Sequence, residues 1–310
     1  MMPSDNVTVP GTGPAPHIHH PDDVPRIMLT VLLALVPAAA LTVLRSGLPA
    51  LVTIVIAMAG CAGIEWLCLK FLRNPGSLRD GSALVTGMLL ALLLPPNSPV
   101  WLILIGAGLT MVFGKHLYGG LGRNLFNPAL VARLALLALF PAFSLQNSAS
   151  PEMAAALLAG SAWLIFKRTI PWQIPLSFLL ALALPALLLH AFAPARFPIP
   201  LYQVLGWATL LGALFMAAEP VTSPVSGTGM LIYGTGCGLL TGLFTLTGRI
   251  PTGFIPAILI MNLLVPLIDR TSFRERLAQP DTPAFMQGKP LMLLTTAIAA
   301  LALSSLRLVF

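Results

Sequence analysis

Charge is what this sequence has least of. Asp, Glu, Lys and Arg make up 9% of its 310 residues, against about 25% in a soluble domain. That excludes a water-soluble globule. The net charge of +7 does not make a nucleic-acid surface, because the basic residues sit in short loops between apolar runs. Strand-like alternation is missing too. The runs are too long and too continuously apolar for a β-barrel. Cysteine is sparse: Cys61, Cys68 and Cys237 all lie in apolar runs. With no CxxC and no Cys/His ligand set, they read as core packing. No cleavable signal peptide is visible, since the first 25 residues are polar and the first apolar run is full length. Tyr118, Trp172, Tyr202 and Trp207 stand near segment ends, as in interfacial belts.

What is present is grease. Hydrophobic residues make up 57% of the chain and its mean hydropathy is +0.90, the signature of an all-α polytopic membrane protein. Apolar segments fall at about 26–44, 50–71, 82–95, 98–116, 127–143, 152–167, 172–192, 201–218, 229–247, 251–269 and 290–308. The expected organisation is a polar tail over 1–25, a five-helix unit over 26–143 and a second over 152–269. A basic linker over 270–289 and an additional C-terminal helix over 290–308 follow. His17, His19 and His20 in the tail are poorly spaced for one helix face, and no metal site is expected. The third segment is too short to cross a bilayer of about 30 Å unaided. Segments of that kind persist only where protein or a cavity shields the backbone.

The basic residues set an orientation. With residue 1 inside, the inner loops hold eleven: Lys70, Arg73, Arg79, Lys115, Arg123, Lys167, Arg168, Arg270, Arg274, Arg276 and Lys289. The outer side holds four: Arg45, Arg196, Arg249 and Arg307. This bias predicts a cytoplasmic N-terminus. A repeat is also visible. Residues from "LLALLLPPNSPVW" to "NPALVARLALL" echo those from "LGALFMAAEPVTSPVSG" to "IPAILIMNLLVPLI". Each copy has an apolar run, a proline break with "SP", a Gly-rich helix, a Gly-Arg turn and a last helix opening near proline. Five helices separate the copies, so the second is inverted, and inverted repeats with broken helices place a binding site near the midplane where the halves meet.

Candidate site residues gather at the breaks. In "GGLGRNLFNPALVAR", Gly119, Gly120 and Gly122 permit tight turns. Asn127 is placed to cap a helix that starts at Pro128, whose free N–H groups attract anions; a plain turn fits equally. Arg133 lies one turn on. It either snorkels or binds a phosphate or carboxylate inside the bundle. Arg79, Asp80, Gly81 and Ser82 precede the short third helix, which Asp80 or Ser82 can cap, with Thr86 and Gly87 one turn in. Glu219 ends the eighth segment and is costly in hydrocarbon, by about 2.5–3.5 kcal/mol on insertion scales; Thr222 and Ser223 follow it. Cofactor or cation contact and an interfacial carboxylate facing water both fit Glu219. Glu65 could pair with Lys115 or Arg133, or snorkel.

Together these stretches resemble one family. "PHIHHPDDVPRIMLTVLLALVPA", "RDGSALVTGMLLALLLPP", "FGKHLYGGLGRNLFNPALVAR", "MAAEPVTSPVSGTGMLIYG" and "AILIMNLLVPLID" stand in family order. The sequence is similar to the D subunit of the Rnf-type ion-translocating electron-transport complex, a relative of the B subunit of the sodium-pumping NADH:quinone reductase (the NqrB/RnfD family). The resemblance implies two inverted repeats of five transmembrane helices, as in urea transporters. It implies a flavin, FMN or riboflavin, contacted at the broken helices by the residues named above. It further implies a complex in the bacterial inner membrane that moves electrons between ferredoxin and NAD, coupled to Na+ or H+ movement, with ferredoxin and NAD bound by partner subunits. In such a subunit the cofactor carries the electrons and the protein sets its position and surroundings, so no catalytic acid or base is assigned.

Two departures qualify the match. Family members carry a flavin joined through phosphate to a threonine in a Ser-Gly-Ala-Thr stretch after the fifth helix; here the loop is only "SLQNSASPE". Ser150 stands nearest to that position, and serves equally as the N-cap of the next helix before Pro151. The flavin is therefore expected to be held non-covalently. The segment over 290–308 also exceeds the family pattern. Two rival readings stay open: a small-solute channel of the same fold, or a cofactor-less scaffold subunit of the same complex.

Overall fold

The computed structural model describes residues 23–72, 78–143, 150–192, 206–246 and 252–278. The tail histidines, the 144–149 loop and the expected helix over 290–308 lie outside the described residues.

The chain runs as a succession of helices. α1 spans Val24–Ser46, α2 Leu48–Leu72, α3 Ser82–Leu93 and α4 Val100–Gly108. α4 continues as a π-helical stretch, Leu109–Lys115, and a 3-10 turn, His116–Tyr118. α5 spans Pro128–Leu139, α6 Pro151–Phe166, α7 Gln173–Phe192 and α8 Trp207–Leu211, the last running into a second π stretch, Gly212–Met216. α9 spans Gly227–Leu246 and α10 Phe254–Ala278. The boundaries follow local chemistry. Proline stands in the first turn of α1, α5 and α6, where a missing N–H costs nothing. Asn127 and Ser150 accept the orphan N–H groups of Leu130 and Met153, at 3.2 and 3.3 Å. α1 ends at Gly47, whose φ of 69° suits glycine.

Two expected boundaries shift. The helix expected to close at 269 runs on to Ala278, so the proposed linker over 270–289 begins as helix. The fifth helix stops at Leu139 instead of 143, and a 3-10 turn, Pro141–Phe143, replaces its last residues because Pro141 removes a backbone donor.

Among the described residues, five helices are long and apolar enough to cross a membrane: Val24–Ser46, Leu48–Phe71, Val100–Tyr118, Gln173–Phe192 and Phe254–Ser272. α3, with twelve residues, is about 18 Å long, short of the roughly 30 Å core. It survives because protein encloses it: ten of its twelve residues are buried. Packing in the two halves runs in parallel. In the first, α2 packs on α3 and α4, α1 on α3, α3 on α5, and the π stretch after α4 on α5. In the second, α7 packs on α9 and on the π stretch after α8, α6 on α8, that π stretch on α10, and α9 on α10. The halves meet where α1 lies on α6 and α5 on α10. One continuous core links them, with Leu35, Leu90, Ile103, Phe178 and Phe254 fully enclosed.

Gly87 explains how α3 sits so close to α2. A Cβ there would lie 2.7 Å from Met58 Cα and 2.9 Å from the Ala57 carbonyl oxygen. The neighbour is backbone and cannot rotate away. Gly87→Leu is therefore expected to cost at least the roughly 1–3 kcal/mol of ordinary overpacking. The check is the unfolding temperature of the purified protein in detergent, and an unchanged temperature would contradict this packing.

Candidate functional site

The polar residues of this bundle converge on one place. Lys115 closes the π stretch after α4 and is 2% exposed. Its Nζ donates to Glu65 on α2 and, at 2.5 Å, to Ser82 Oγ at the start of α3. A buried ammonium needs such a counter-charge, since neither ion tolerates the interior alone. Ser82 is held in turn by Asp80, whose carboxylate accepts from the Ser82 N–H at 2.8 Å and from its hydroxyl at 2.6 Å. Gly81 between them takes a φ of 74°, which glycine alone adopts freely. The second turn of α3 adds Thr86, whose hydroxyl donates to the Ser82 carbonyl at 2.8 Å.

Across from this group stands the start of α5. Asn127 divides its amide between two tasks: Oδ1 caps the helix, and Nδ2 donates to Glu219 Oε2 at 2.8 Å. Thr222 adds its hydroxyl to the same carboxylate oxygen at 3.4 Å. Glu219 follows the π stretch of the second half, so this bond joins the first half to the second. Asn262 on α10 braces the junction. With its carbonyl oxygen toward the Asn127 N–H, at 3.1 Å, its amide donates to the Thr222 carbonyl at 3.2 Å and lies 2.5 Å from the Tyr233 hydroxyl. Gly114 brings the α4 extension onto α5, for a Cβ there would lie 2.6 Å from Pro128 Cα.

Between these groups lies a cavity of about 480 Å³, inside the 300–1,000 Å³ range of small-molecule sites. Ser82, Thr86, Lys115, Asn124, Asn127 and Glu219 supply its polar wall. Ile27, Met28, Val31, Leu89, Leu164 and Phe215 supply an apolar one. Both halves contribute, and the few polar groups stand in a largely apolar lining, the usual composition of a cofactor pocket.

Of the residues singled out in the sequence, Ser82, Thr86, Asn127, Pro128 and Glu219 line this cavity. Asp80 and Gly81 stand directly behind Ser82. Thr222 and Ser223 are buried beside Glu219 but form no part of the lining. Arg79 is exposed on the 3-10 turn before α3. Gly87 faces α2 instead of the cavity. Arg133 neither snorkels nor reaches the cavity. It is 1% exposed, and its guanidinium donates to the Phe143 carbonyl at 2.9 Å, toward the far end of α5 from the Asn127 cap. Ser150 is also remote. It caps α6, and its hydroxyl accepts from the Arg45 guanidinium at 2.5 Å, which also pairs with Glu152. Cys61, Cys68 and Cys237 are buried free thiols, as their apolar settings predict. Of the two partners offered for Glu65, the structure selects Lys115 and not Arg133, and Glu65 does not snorkel. The place of Lys115 in the cavity wall, and Asn124 altogether, were missed by the sequence reading.

The arrangement defines a class: a multi-pass helical membrane protein with a cavity of small-molecule size between its two halves. Comparison with known proteins gives the family. The sequence matches the NQR2, RnfD, RnfE family over residues 12–148 and 143–277. It is 34% identical to the D subunit of the Na(+)-translocating ferredoxin:NAD(+) oxidoreductase complex of Acetobacterium woodii, over 88% of this chain and 95% of that protein. It is 32% identical to the D subunit of the ion-translocating oxidoreductase complex of Escherichia coli K12, over 82% of this chain and 94% of that protein. The chain belongs to the NQR2/RnfD/RnfE family.

The Lys115–Glu65 pair yields a stability prediction. Lys115→Met leaves the buried Glu65 carboxylate with only the His116 ring, 3.7 Å away, and is expected to cost about 3–5 kcal/mol. Adding Glu65→Gln should restore most of that loss, because no charge then remains. Thermal unfolding of single and double variants checks it; equal losses in both would show that the two groups do not act as a pair.

Proposed function

We propose that this chain is the integral membrane subunit of an ion-translocating ferredoxin:NAD oxidoreductase complex and holds a flavin, FMN or riboflavin, in the cavity between its halves. The observation that carries the reading is the cavity itself, with Ser82, Lys115 and Asn127 from one half and Leu164, Phe215 and Glu219 from the other. An isoalloxazine needs an apolar bed for its ring and a few polar groups at its heteroatom edge, and this lining offers both. The bound flavin would supply electron transfer; the protein supplies orientation, exclusion of water and fixed charges. Ser150 is occupied as a helix cap under Arg45, and the threonine attachment stretch is absent, which supports non-covalent binding.

The parallel packing within the halves, and their meeting at α1–α6 and α5–α10, supports a pair of inverted five-helix repeats with the cavity at their junction. The excess of basic residues in alternate loops supports a cytoplasmic N-terminus in the bacterial inner membrane. Ferredoxin and NAD would bind partner subunits, since the short loops leave no room for an extrinsic domain. Na+ or H+ is the coupled ion.

Thr86→Phe tests the reading. Thr86 bonds only within its own helix, so replacement fills the cavity with little harm to the fold. The purified complex should lose at least one equivalent of flavin released on denaturation, while remaining assembled on a native gel. Undiminished flavin would exclude this cavity. Transport of urea-sized solutes into vesicles holding this chain alone, with no flavin bound, would instead favour a channel.

A further inference from the structure

Among the described residues, Arg133 is a buried cation with no counter-charge. It is 1% exposed, as deep as Lys115 at 2%, but Lys115 has Glu65 against it. The Arg133 guanidinium donates to the Phe143 carbonyl at 2.9 Å, and its Nε is buried without an acceptor. The ion pairs of the described residues do not include it. Residues 144–149, which follow the turn, read SLQNSA and contain no acid. A lone buried ion burdens a fold, and an apolar side chain of similar size in its place is neutral or stabilising. Inside a membrane bundle such a charge marks a function by default.

Its place in the bundle gives that function. The cavity lies at the N-terminal ends of α3 and α5, with Ser82 and Thr86 of the one and Asn127 and Pro128 of the other. Toward the far ends of the same helices the interior closes: Leu90, Leu93, Leu94, Leu102 and Leu136 are each 2% exposed or less. α3, α4 and α5 touch in that layer, where a Cβ at Gly106 would lie 3.1 Å from Leu136 Cδ1 and 3.4 Å from Leu90 Cδ2. Arg133 stands three residues before Leu136, on the same face of α5, and its guanidinium reaches the turn beyond the layer. We propose that Arg133 is an electrostatic seal, whose fixed positive charge between the cavity and the opposite face keeps Na+ and H+ from leaking through this chain. The Glu219 carboxylate makes the cavity attractive to cations, and a transient file of water across the apolar layer would carry them on. A like charge in low-dielectric surroundings opposes that step strongly, as arginines do in pores that pass water and exclude cations. The lack of a counter-charge suits the role: a carboxylate partner would cancel the field, whereas the neutral Phe143 carbonyl holds the guanidinium and leaves its charge intact. The role needs no flavin in the cavity; it rests on the chain working in an ion-translocating complex, where a leak would dissipate the gradient.

The test is passive uptake of radioactive Na+ and dye-reported proton entry in vesicles holding the purified full chain, with no electron donor present. Wild type and Arg133→Lys, which keeps the charge, should be as tight as protein-free vesicles. Arg133→Gln keeps a donor for the Phe143 carbonyl and loses the charge. It should leak cations at least about tenfold faster, a change of about 1.4 kcal/mol in the barrier, with no matching rise for chloride. A second measurement needs no transport: Arg133→Met should unfold at or above the temperature of wild type in detergent, because a lone buried ion has been removed. A tight Arg133→Gln, a wild type that leaks as fast, or a leak that carries chloride equally overturns the seal. A lower unfolding temperature for Arg133→Met overturns the uncompensated charge on which it rests. Neither readout involves partner subunits. Failure of the seal therefore leaves the complex reading standing, and recovery of the chain without redox partners would fail that reading alone.

Discussion

A helix that begins buried within a bundle exposes N–H groups away from water, and each needs an acceptor. In this protein the start of α5 poses that problem and Asn127 answers it. Its carbonyl takes the Leu130 N–H, and its amide is then free to bind Glu219 on the other half. The local need for a cap and the global need for a joint are met by one side chain. Because Glu219 is a carboxylate in a greasy interior, it too requires donors, and Asn127 and Thr222 provide them. The cavity sits where these obligations converge, since a bundle interrupted by helix starts cannot be filled by apolar side chains alone.

The rest of the bundle permits that interruption. α3 and α5 are too short to stand in lipid and are wrapped by longer neighbours. Gly87 lets α2 approach α3 at backbone distance, and Gly114 does the same between the α4 extension and α5. Association inside a membrane depends on such close fits, because lipid tails are as apolar as the helices they surround. Close backbone packing lies beside the polar cluster, as it also does between α7 and α9, where a Cβ at Gly238 would lie 2.3 Å from the Phe178 carbonyl oxygen.

The sequence was informative wherever one residue type answers one local demand. Asn-Pro and Ser-Pro mark the starts of α5 and α6 because capping and the missing proline N–H are decided within one turn. The shortness of α3 was plain from its proline stop. Legibility failed where position depends on tertiary packing. Lys115 could be offered as one of two partners for Glu65 but not placed in a cavity wall, because that depends on the π winding beyond Gly108 that carries it inward. Arg133 follows the Asn127 cap by six residues, and its reach toward the Phe143 carbonyl follows from the turn at Pro141. Asn124 stands in an irregular segment with no periodicity to place it. Of the six residues of the polar wall, Ser82, Thr86, Asn127 and Glu219 were visible beforehand as site candidates, and Lys115 and Asn124 were not.

The stretch Leu109–Lys115 is wound as a π-helix, wider than the α-helix that precedes it. Such a segment behaves as though a residue had been inserted into an ordinary helix. Its removal would turn everything downstream by about 100°, sweeping Gly114 off α5 and Lys115 off its carboxylate toward the lipid. The spacing of this run therefore matters as much as its spelling. Exchange of an outward side chain such as Phe113 leaves that spacing intact, whereas a single codon lost from the gene would dismantle the pocket from a distance.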